Sequence, residues 1–340
     1  MRKNNNILLS GCGGYIGSRL AKNLLKEGFK VRGIDKGYFG FDAVPAGVEL
    51  IKGDIREPKK SWFKNIDAVI HLAAFSNDPT ADFSPEANWE TNFEGSQSLA
   101  IMAKECGVKR FVDASTCSVY YKTGVIPKQV FTEEDVGDCL AGYPKSKRAT
   151  ELMLLALNDK DFEVVITRKG TVFGQSDRMR YDLIVNTFVK DAFTKGEIKI
   201  HAGGKLERPC CSIVRAVDAY TRLTNAPNVE GQIINIVDDN FSIMTVAKKV
   251  YDTLLRKRNV QIEMDVWATG TGVIRSYVAS KEKMERLLPL LAFETMEDAI
   301  VEIWDSLVAL EDPEDPIYYN IRNLEQLMYY KTRLEKLGKI

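Results

Sequence analysis

The chain has 340 residues, and its 47 Lys and Arg balance 47 Asp and Glu, so no net field draws it to nucleic acid or to an anionic membrane. Its length suits one large domain or two, and no apolar run approaches the ~20 residues of a membrane helix, which points to a soluble cytoplasmic protein. Six cysteines, at 12, 106, 117, 139, 210 and 211, form no C-x-x-C pair and share no ligand spacing with His71 and His201, so reduced thiols and no metal centre are expected.

Residues 7–17, ILLSGCGGYIG, join a short apolar strand, a glycine turn and the start of a helix. Gly11, Gly14 and Gly17 fall in the spacing G-x-x-G-x-x-G. There the missing side chains serve a tight turn, backbone approach to a diphosphate and close packing of helix on strand. Tyr15 and Ile16 open the helix, whose positive N-terminus points at the phosphates. A second apolar run, 30–34, ends at Asp35. A carboxylate there accepts hydrogen bonds from both hydroxyls of an adenosine ribose and repels a 2′-phosphate, so NAD is expected over NADP, with Lys36 beside it softening that choice.

Further apolar runs at 48–51, 68–72 and 110–113 read as buried parallel strands. Between them, 88–106 carries Leu99, Met102, Ala103 and Cys106 at helical spacing and stops at Gly107. Strand and helix in alternation predict an α/β fold: right-handed crossovers and a doubly wound parallel sheet, with ligands beyond the carboxyl ends of the strands. In those loops Asp54 and Ile55 either border an adenine ring or make a turn for their own backbone. His71 reads as structural, and the small residues of Leu72-Ala73-Ala74 let backbone lie close to a cofactor.

The fifth run ends in a hydroxyl cluster, Ala114-Ser115-Thr116-Cys117-Ser118-Val119-Tyr120, and a loop later Tyr143-Pro144-Lys145-Ser146-Lys147 opens a helix to about residue 157. Pro144 suits a first helical turn, which puts Tyr143 and Lys147 on one face. A free tyrosine titrates near pH ~10, and bringing it to about 7 takes roughly 4 kcal/mol of stabilisation of the phenolate. Lys147, the helix N-terminus and an oxidised nicotinamide ring all act in that direction. Tyr143 then takes a substrate hydroxyl proton while hydride leaves the same carbon, and the Thr116 hydroxyl holds that oxygen in line.

A strand over 162–168 precedes 170–174 and a stretch rich in Arg, Asp and amides, 175–186; another strand follows at 232–237. From there to about residue 310 the chain reads as helices with one short strand near Tyr277. The expected division is a cofactor domain over 1–173, to which 208–240 returns, a smaller substrate lobe from 174–207 and 241–310, and a tail over 311–340. The tail opens Glu-Asp-Pro-Glu-Asp-Pro and becomes a charged helix with Leu324, Leu327, Met328 and Leu334, packing on the body or on a partner subunit.

Taken together, G11-x-x-G14-x-x-G17, Asp35, the Thr116–Tyr120 cluster and Y143-x-x-x-K147 resemble the extended short-chain dehydrogenase/reductase family, in its NAD-dependent nucleotide-sugar epimerase/dehydratase branch, from residue 7 to about 308. The resemblance implies a Rossmann domain with bound NAD, a C-terminal lobe holding a nucleotide diphosphate-sugar, chemistry through a 4-keto sugar, and a homodimer built on helices 88–106 and 143–157. It assigns Thr116, Tyr143 and Lys147 to catalysis; Gly11, Gly14, Tyr15, Ile16, Gly17, Asp35, Asp54, Ile55 and 72–74, with Tyr143 and Lys147, to NAD; and Thr116, Ser118, Thr171, Arg208 and Arg275 to the substrate. Two guanidiniums, Arg208 and Arg275, suit a diphosphate because their planar forks bind its oxygens bidentately. The chain also departs from the family. Cys117 and Ser118 stand where dehydratases carry an Asp and a Glu, Tyr121 where a Gly is usual, Thr171 where epimerases often have Asn, and Ser212 and Arg215 where His and Asp are usual. The missing acid and base disfavour a 4,6-dehydratase and leave a nucleotide-sugar 4-epimerase as the expected activity, with a 4-ketoreductase or a non-catalytic NAD-binding regulator as alternatives.

Overall fold

A computed structural model describes residues 4–122, 129–269, 276–289 and 291–336. Seven strands form the central sheet: β1 (Asn6–Ser10), β2 (Lys30–Asp35), β3 (Glu49–Lys52), β4 (Ala68–His71), β5 (Arg110–Thr116), β6 (Glu163–Lys169) and β7 (Gln232–Ile236). Their order is β3-β2-β1-β4-β5-β6-β7, and every pairing is parallel. The chain builds outward from β1 to β3, then restarts on the other side of β1 at β4. That reversal leaves a crevice beyond the carboxyl ends of β1 and β4.

The strands read as continuous apolar runs because both faces of the sheet are covered. Ile7 and Leu9 pack with Leu20, Ala21 and Leu24 of α1 (Tyr15–Lys26), while Leu8 between them packs with Leu99, Ala100 and Ala103 of α2 (Ser96–Glu105) on the opposite face. The helix expected over 88–106 is interrupted: Pro85–Trp89 is α-helical, Glu90–Gly95 is a π turn, and α2 follows. The π turn frees the carbonyl of Asn92, which accepts the hydroxyls of Ser96 (2.7 Å) and Thr150 (2.6 Å). The Asn92 amide meanwhile holds both the N–H (2.8 Å) and the C=O (2.9 Å) of Phe75 in the loop after β4. One side chain thus fixes that loop against α3 (Gly142–Leu157), the helix that carries Thr150.

Beyond the sheet, Thr171–Phe173 pairs with Glu207–Ser212, which pairs antiparallel with Asp239–Ser242. The short strand near Tyr277 is Val278–Ala279, paired with Val130–Phe131. The region read as helices after residue 240 also contributes Glu263–Val266, which pairs with Glu197–Ile200. All four of its residues are exposed, so no apolar alternation marks it in the sequence. The tail folds back on the body. Tyr181 N–H donates to Tyr318 O (3.0 Å), and Asn323 in α4 (Asn320–Lys336) donates to Tyr38 O (2.7 Å).

Candidate active site

The glycine turn leaves no room for side chains. Gly11 has φ +75°, its N–H donates to Ile34 O (2.7 Å), and a Cβ there would lie 2.8 Å from Ala73 N. A Cβ on Gly17 would lie 1.9 Å from Gly11 O, so turn, helix and the loop after β4 are in mutual backbone contact. Asp35 is held at the end of β2 by the N–H groups of Gly13 (2.9 Å) and Gly37 (2.8 Å). Asp54 pairs with Lys36 (2.8 Å) and Arg56 (2.7 Å). Burial alone would raise the Asp54 carboxyl, but hydrogen bonds from these two cations outweigh it and hold it well below the ordinary carboxylate range. Lys36 is therefore engaged by Asp54, which removes the objection it raised to NAD at Asp35.

One cleft runs along this edge. Gly11, Gly14, Tyr15, Ile16, Gly17, Asp35, Asp54, Ile55, Leu72, Ala73, Ala74 and Tyr143 all line it. The residues present fit a dinucleotide: a side-chain-free turn opening a helix, an acceptor carboxylate one strand away, and a buried guanidinium, Arg178, whose Nε has no acceptor among the described residues. His71 is the structural residue expected. Its ring is buried between the Ser10 (2.6 Å) and Ser96 (2.8 Å) hydroxyls, and burial, then Lys147, bring its pKa down to about 3.

At the far end Tyr143 is buried in the first turn of α3, and the Thr116 hydroxyl at the end of β5 faces its phenol. Burial first, and then Asp78, push its phenol above the ordinary tyrosine range, while Arg180 and the Thr116 hydroxyl favour the phenolate. The buried Lys147 ammonium lies 3.8 Å from Asp113 Oδ2, on a strand residue that sequence reading placed at the end of an apolar run. Lys169, in register with Thr116 across β5 and β6, donates to Ser115 O (2.8 Å) and lines the cleft. Burial first, and then Lys147, bring the Lys169 pKa down to about 7.

Ser118 and Arg208 meet around Tyr277. The Ser118 and Tyr277 hydroxyls are 3.2 Å apart, the Arg208 guanidinium lies 5.4 Å from the Tyr277 ring, and Ser118 also takes a hydrogen bond from Thr116 (3.1 Å). Thr171 sits opposite Cys210, two residues along the strand from Arg208. Arg275 lies outside the described residues. Cys117 is fully buried with its thiol pushed up by burial, and it donates to Arg168 O (3.2 Å), so position 117 supplies neither acid nor base. Sequence reading missed Tyr38, Phe39, Ser76, Lys169, Arg178, Arg180, Asn320 and Leu324, all of which line the cleft. The two arginines left a trace as part of the Arg- and Asp-rich stretch after residue 174, and Leu324 as an apolar position of the tail helix, but neither signal pointed to this cleft.

The chain matches the family model described as "NAD dependent epimerase/dehydratase family" over residues 7–237. It is 30% identical over 261 residues to a UDP-N-acetyl-alpha-D-glucosaminuronate decarboxylase of Bacillus cytotoxicus, covering 72% of this chain and 78% of that one. It is also 30% identical over 223 residues to a UDP-glucuronate 4-epimerase of Thermodesulfobacterium geofontis, covering 59% of this chain and 66% of that enzyme's length. The fold superposes on the crystal structure of the UDP-glucuronic acid 4-epimerase from Bacillus cereus, in complex with UDP-glucuronic acid and NAD, with a TM-score of 0.77 at 22% identity over 89% of this chain and 99% of that one. With the glycine turn, Asp35 and Tyr143 lining one cleft, this chain belongs to the NAD-dependent epimerase/dehydratase family of the extended short-chain dehydrogenase/reductases.

Proposed function

We propose that this protein is a nucleotide-sugar 4-epimerase that works through a transient 4-keto sugar. The observation that carries the reading is the content of the catalytic end: a buried phenol facing the Thr116 hydroxyl, with a buried thiol and a serine where elimination would need an acid and a base. NAD, when bound, accepts the C4 hydride and returns it. Tyr143 takes the 4-hydroxyl proton as the hydride leaves and gives it back after the sugar has turned over, so no net redox change occurs. Thr116 aligns the 4-oxygen, and Ser118 and Arg208 around Tyr277 form the near wall of the substrate lobe, with Arg208 directed at a diphosphate. Likeness to a UDP-glucuronate 4-epimerase supports the reaction type. We assign the same site a homodimeric, cytoplasmic setting. Ile101 (40% exposed) and Leu152 (54%) are large apolar side chains left in solvent on the two helices expected to form the dimer bundle.

The test is turnover of a panel of nucleotide diphosphate-sugars by purified protein with no added dinucleotide. Interconversion of C4 epimers without NADH release supports the reading; net NADH consumption with a 4-keto sugar replaces it with a 4-ketoreductase. A second reading, decarboxylation of a nucleotide-linked uronate, is favoured by the likeness to the Bacillus cytotoxicus enzyme and by Lys169, a half-buried cation on the cleft wall in register with Thr116. Release of CO₂ from a uronate substrate identifies it. Absence of turnover on every sugar tested would leave the NAD-binding regulator.

A further inference from the structure

We propose that Arg178, together with Asn320 and Leu324 of the C-terminal helix, forms a clamp that retains the dinucleotide, so that the tail beyond the family-matched region is part of the cofactor site. The inference rests on the family's use of NAD and is independent of which sugar reaction follows.

Arg178 is 4% exposed, yet its guanidinium faces no carboxylate within ion-pair distance among the described residues. One terminal nitrogen donates to Asn320 Oδ1 (2.8 Å), the guanidinium carbon lies 3.7 Å from the centre of the Phe39 ring, and Nε has no acceptor among the described residues. Burial and the neighbouring Arg180 lower its pKa to about 9, so the site as built disfavours its charge. A buried cation of this kind is costly unless an anion compensates it. The other cations on the cleft wall are engaged: Lys36 by Asp54 (2.8 Å), Arg180 by both oxygens of Asp182 (2.9 and 2.8 Å), and Lys169 by Ser115 O (2.8 Å).

Its place in the fold says which anion it serves. The segment bearing Arg178 lies on the first turn of α1. Ser176 Oγ donates to Tyr15 O (2.6 Å) and stands 3.0 Å from Ser18 Oγ, and Tyr15 Oη donates to Gly174 O (2.6 Å). That turn is the helix end at which a diphosphate is bound, and its glycines offer only N–H donors. Arg178 supplies the fork of charged donors that the turn lacks.

Asn320 ties this arrangement shut. While Oδ1 accepts from Arg178, Nδ2 donates to Ser76 Oγ (3.0 Å) in the loop after β4, and the same hydroxyl accepts from Arg180 (2.9 Å). One turn on, Asn323 donates to Tyr38 O (2.7 Å) in the loop after β2, and Leu324, 8% exposed, covers the cleft. One helical turn therefore joins three walls of the cleft. It is anchored behind by Glu314, which pairs with Lys190 (2.5 Å) and Arg322 (2.8 Å). A ligand lying beneath this turn leaves only after these contacts part.

The experiment measures NAD release from the full-length protein. Wild type, Asn320→Ser, Leu324→Ala, Arg178→Gln and Arg178→Lys are loaded with labelled NAD, and its exchange against unlabelled NAD is followed, with near-ultraviolet circular dichroism confirming each fold. Leu334→Ala, on the exposed end of the tail, is the control. We expect exchange at least tenfold faster for the tail variants. Affinity should fall 10- to 100-fold for Arg178→Gln, be only partly restored by Lys, and be unchanged in the control. Folded tail variants that exchange at the wild-type rate overturn the clamp. So does a set in which retention of a nucleotide-sugar, but not of NAD, responds to Arg178. Wild type that binds no NAD at all would fail the family reading itself, and the clamp with it.

Discussion

Gly17→Ala tests the geometry of the cofactor turn most directly. The new methyl would sit 1.9 Å from Gly11 O, 2.8 Å from Gly11 C and 3.0 Å from Cys12 Cα. Comfortable contact between non-bonded heavy atoms needs about 3.5 Å, so α1 must withdraw by roughly 1.5 Å. All three opposing atoms are backbone, which leaves no rotamer to yield. Overpacking of this kind costs about 1–3 kcal/mol, and the melting temperature falls by a few degrees. Binding suffers more. The N–H groups at the start of α1 move with the helix, and hydrogen bonds of ~2.9 Å stretched by that amount are no longer bonds. Losing two of them to a charged diphosphate, at about 1.5–3 kcal/mol each, weakens NAD by roughly 10²- to 10³-fold or more. Calorimetric titration with NAD, alongside thermal melting, reads both effects. Gly14→Ala is the internal comparison: its Cβ would meet only Gly11 O, at 3.2 Å, on ordinary negative-φ backbone, and tenfold weakening or less is expected. Wild-type affinity in Gly17→Ala, or greater damage from Gly14→Ala, would refute the packing argument.

Removing the Tyr143 hydroxyl in Tyr143→Phe should lower kcat by about 10²- to 10⁴-fold while NAD titrates as in wild type, since only the proton acceptor is lost. Glu151 is fully buried and bonded to Arg168 (2.9 Å), Arg148 (2.8 Å) and Ser115 (2.5 Å), so Glu151→Gln should cost about 3–5 kcal/mol in urea unfolding at pH 7. Burial works against its charge, but the Arg168 bonds prevail and depress its folded-state pKa. Its stabilisation is thus present above the unfolded value near 4.5, and the gap to wild type should shrink as pH falls below it. Lys169 has the opposite sign. With its pKa lowered from 10.5 to about 7, the unfolded chain binds more protons across that window, and wild-type stability should rise with pH through it. Lys169→Met should flatten the rise and gain about 1–4 kcal/mol at pH 6; an unchanged profile would mean the ammonium is solvated.

What was legible in the sequence is what local rules dictate. Strands buried on both faces show as short apolar runs, so the parallel sheet could be read from Ile7-Leu8-Leu9, Val69-Ile70 and their counterparts, while the order of its strands comes from the structure. The glycine spacing and Asp35 are demands of backbone approach and hydrogen bonding at fixed chain distance, and they were found for that reason. Glu263–Val266 was missed because an edge strand with four exposed residues has no core period to display. Asn320 and Leu324 were missed because they reach the cleft across more than 240 residues of sequence from the Ser76 loop, and nothing in a charged amphipathic helix says which wall it will cover.

Tyr143 joins the two halves of the site. Lys147, one turn further along α3, lies 3.8 Å from the buried Asp113 carboxyl, whose pKa burial raises. The chain's own groups that favour the phenolate are Thr116, fixed at the end of β5, and Arg180. Arg180 belongs to the segment that Ser176 seats on α1, that Arg178 directs toward the diphosphate turn, and that Asn320 ties down through Ser76. Loosening the tail therefore moves a charge that stabilises the catalytic phenolate as well as opening the cleft. On this geometry the acidity of Tyr143 and the retention of the dinucleotide are coupled, and a tail variant such as Asn320→Ser should shift the acid limb of the pH–rate profile upward in addition to speeding NAD exchange. Faster exchange with an unmoved profile would show that Arg180 is held by Asp182 alone.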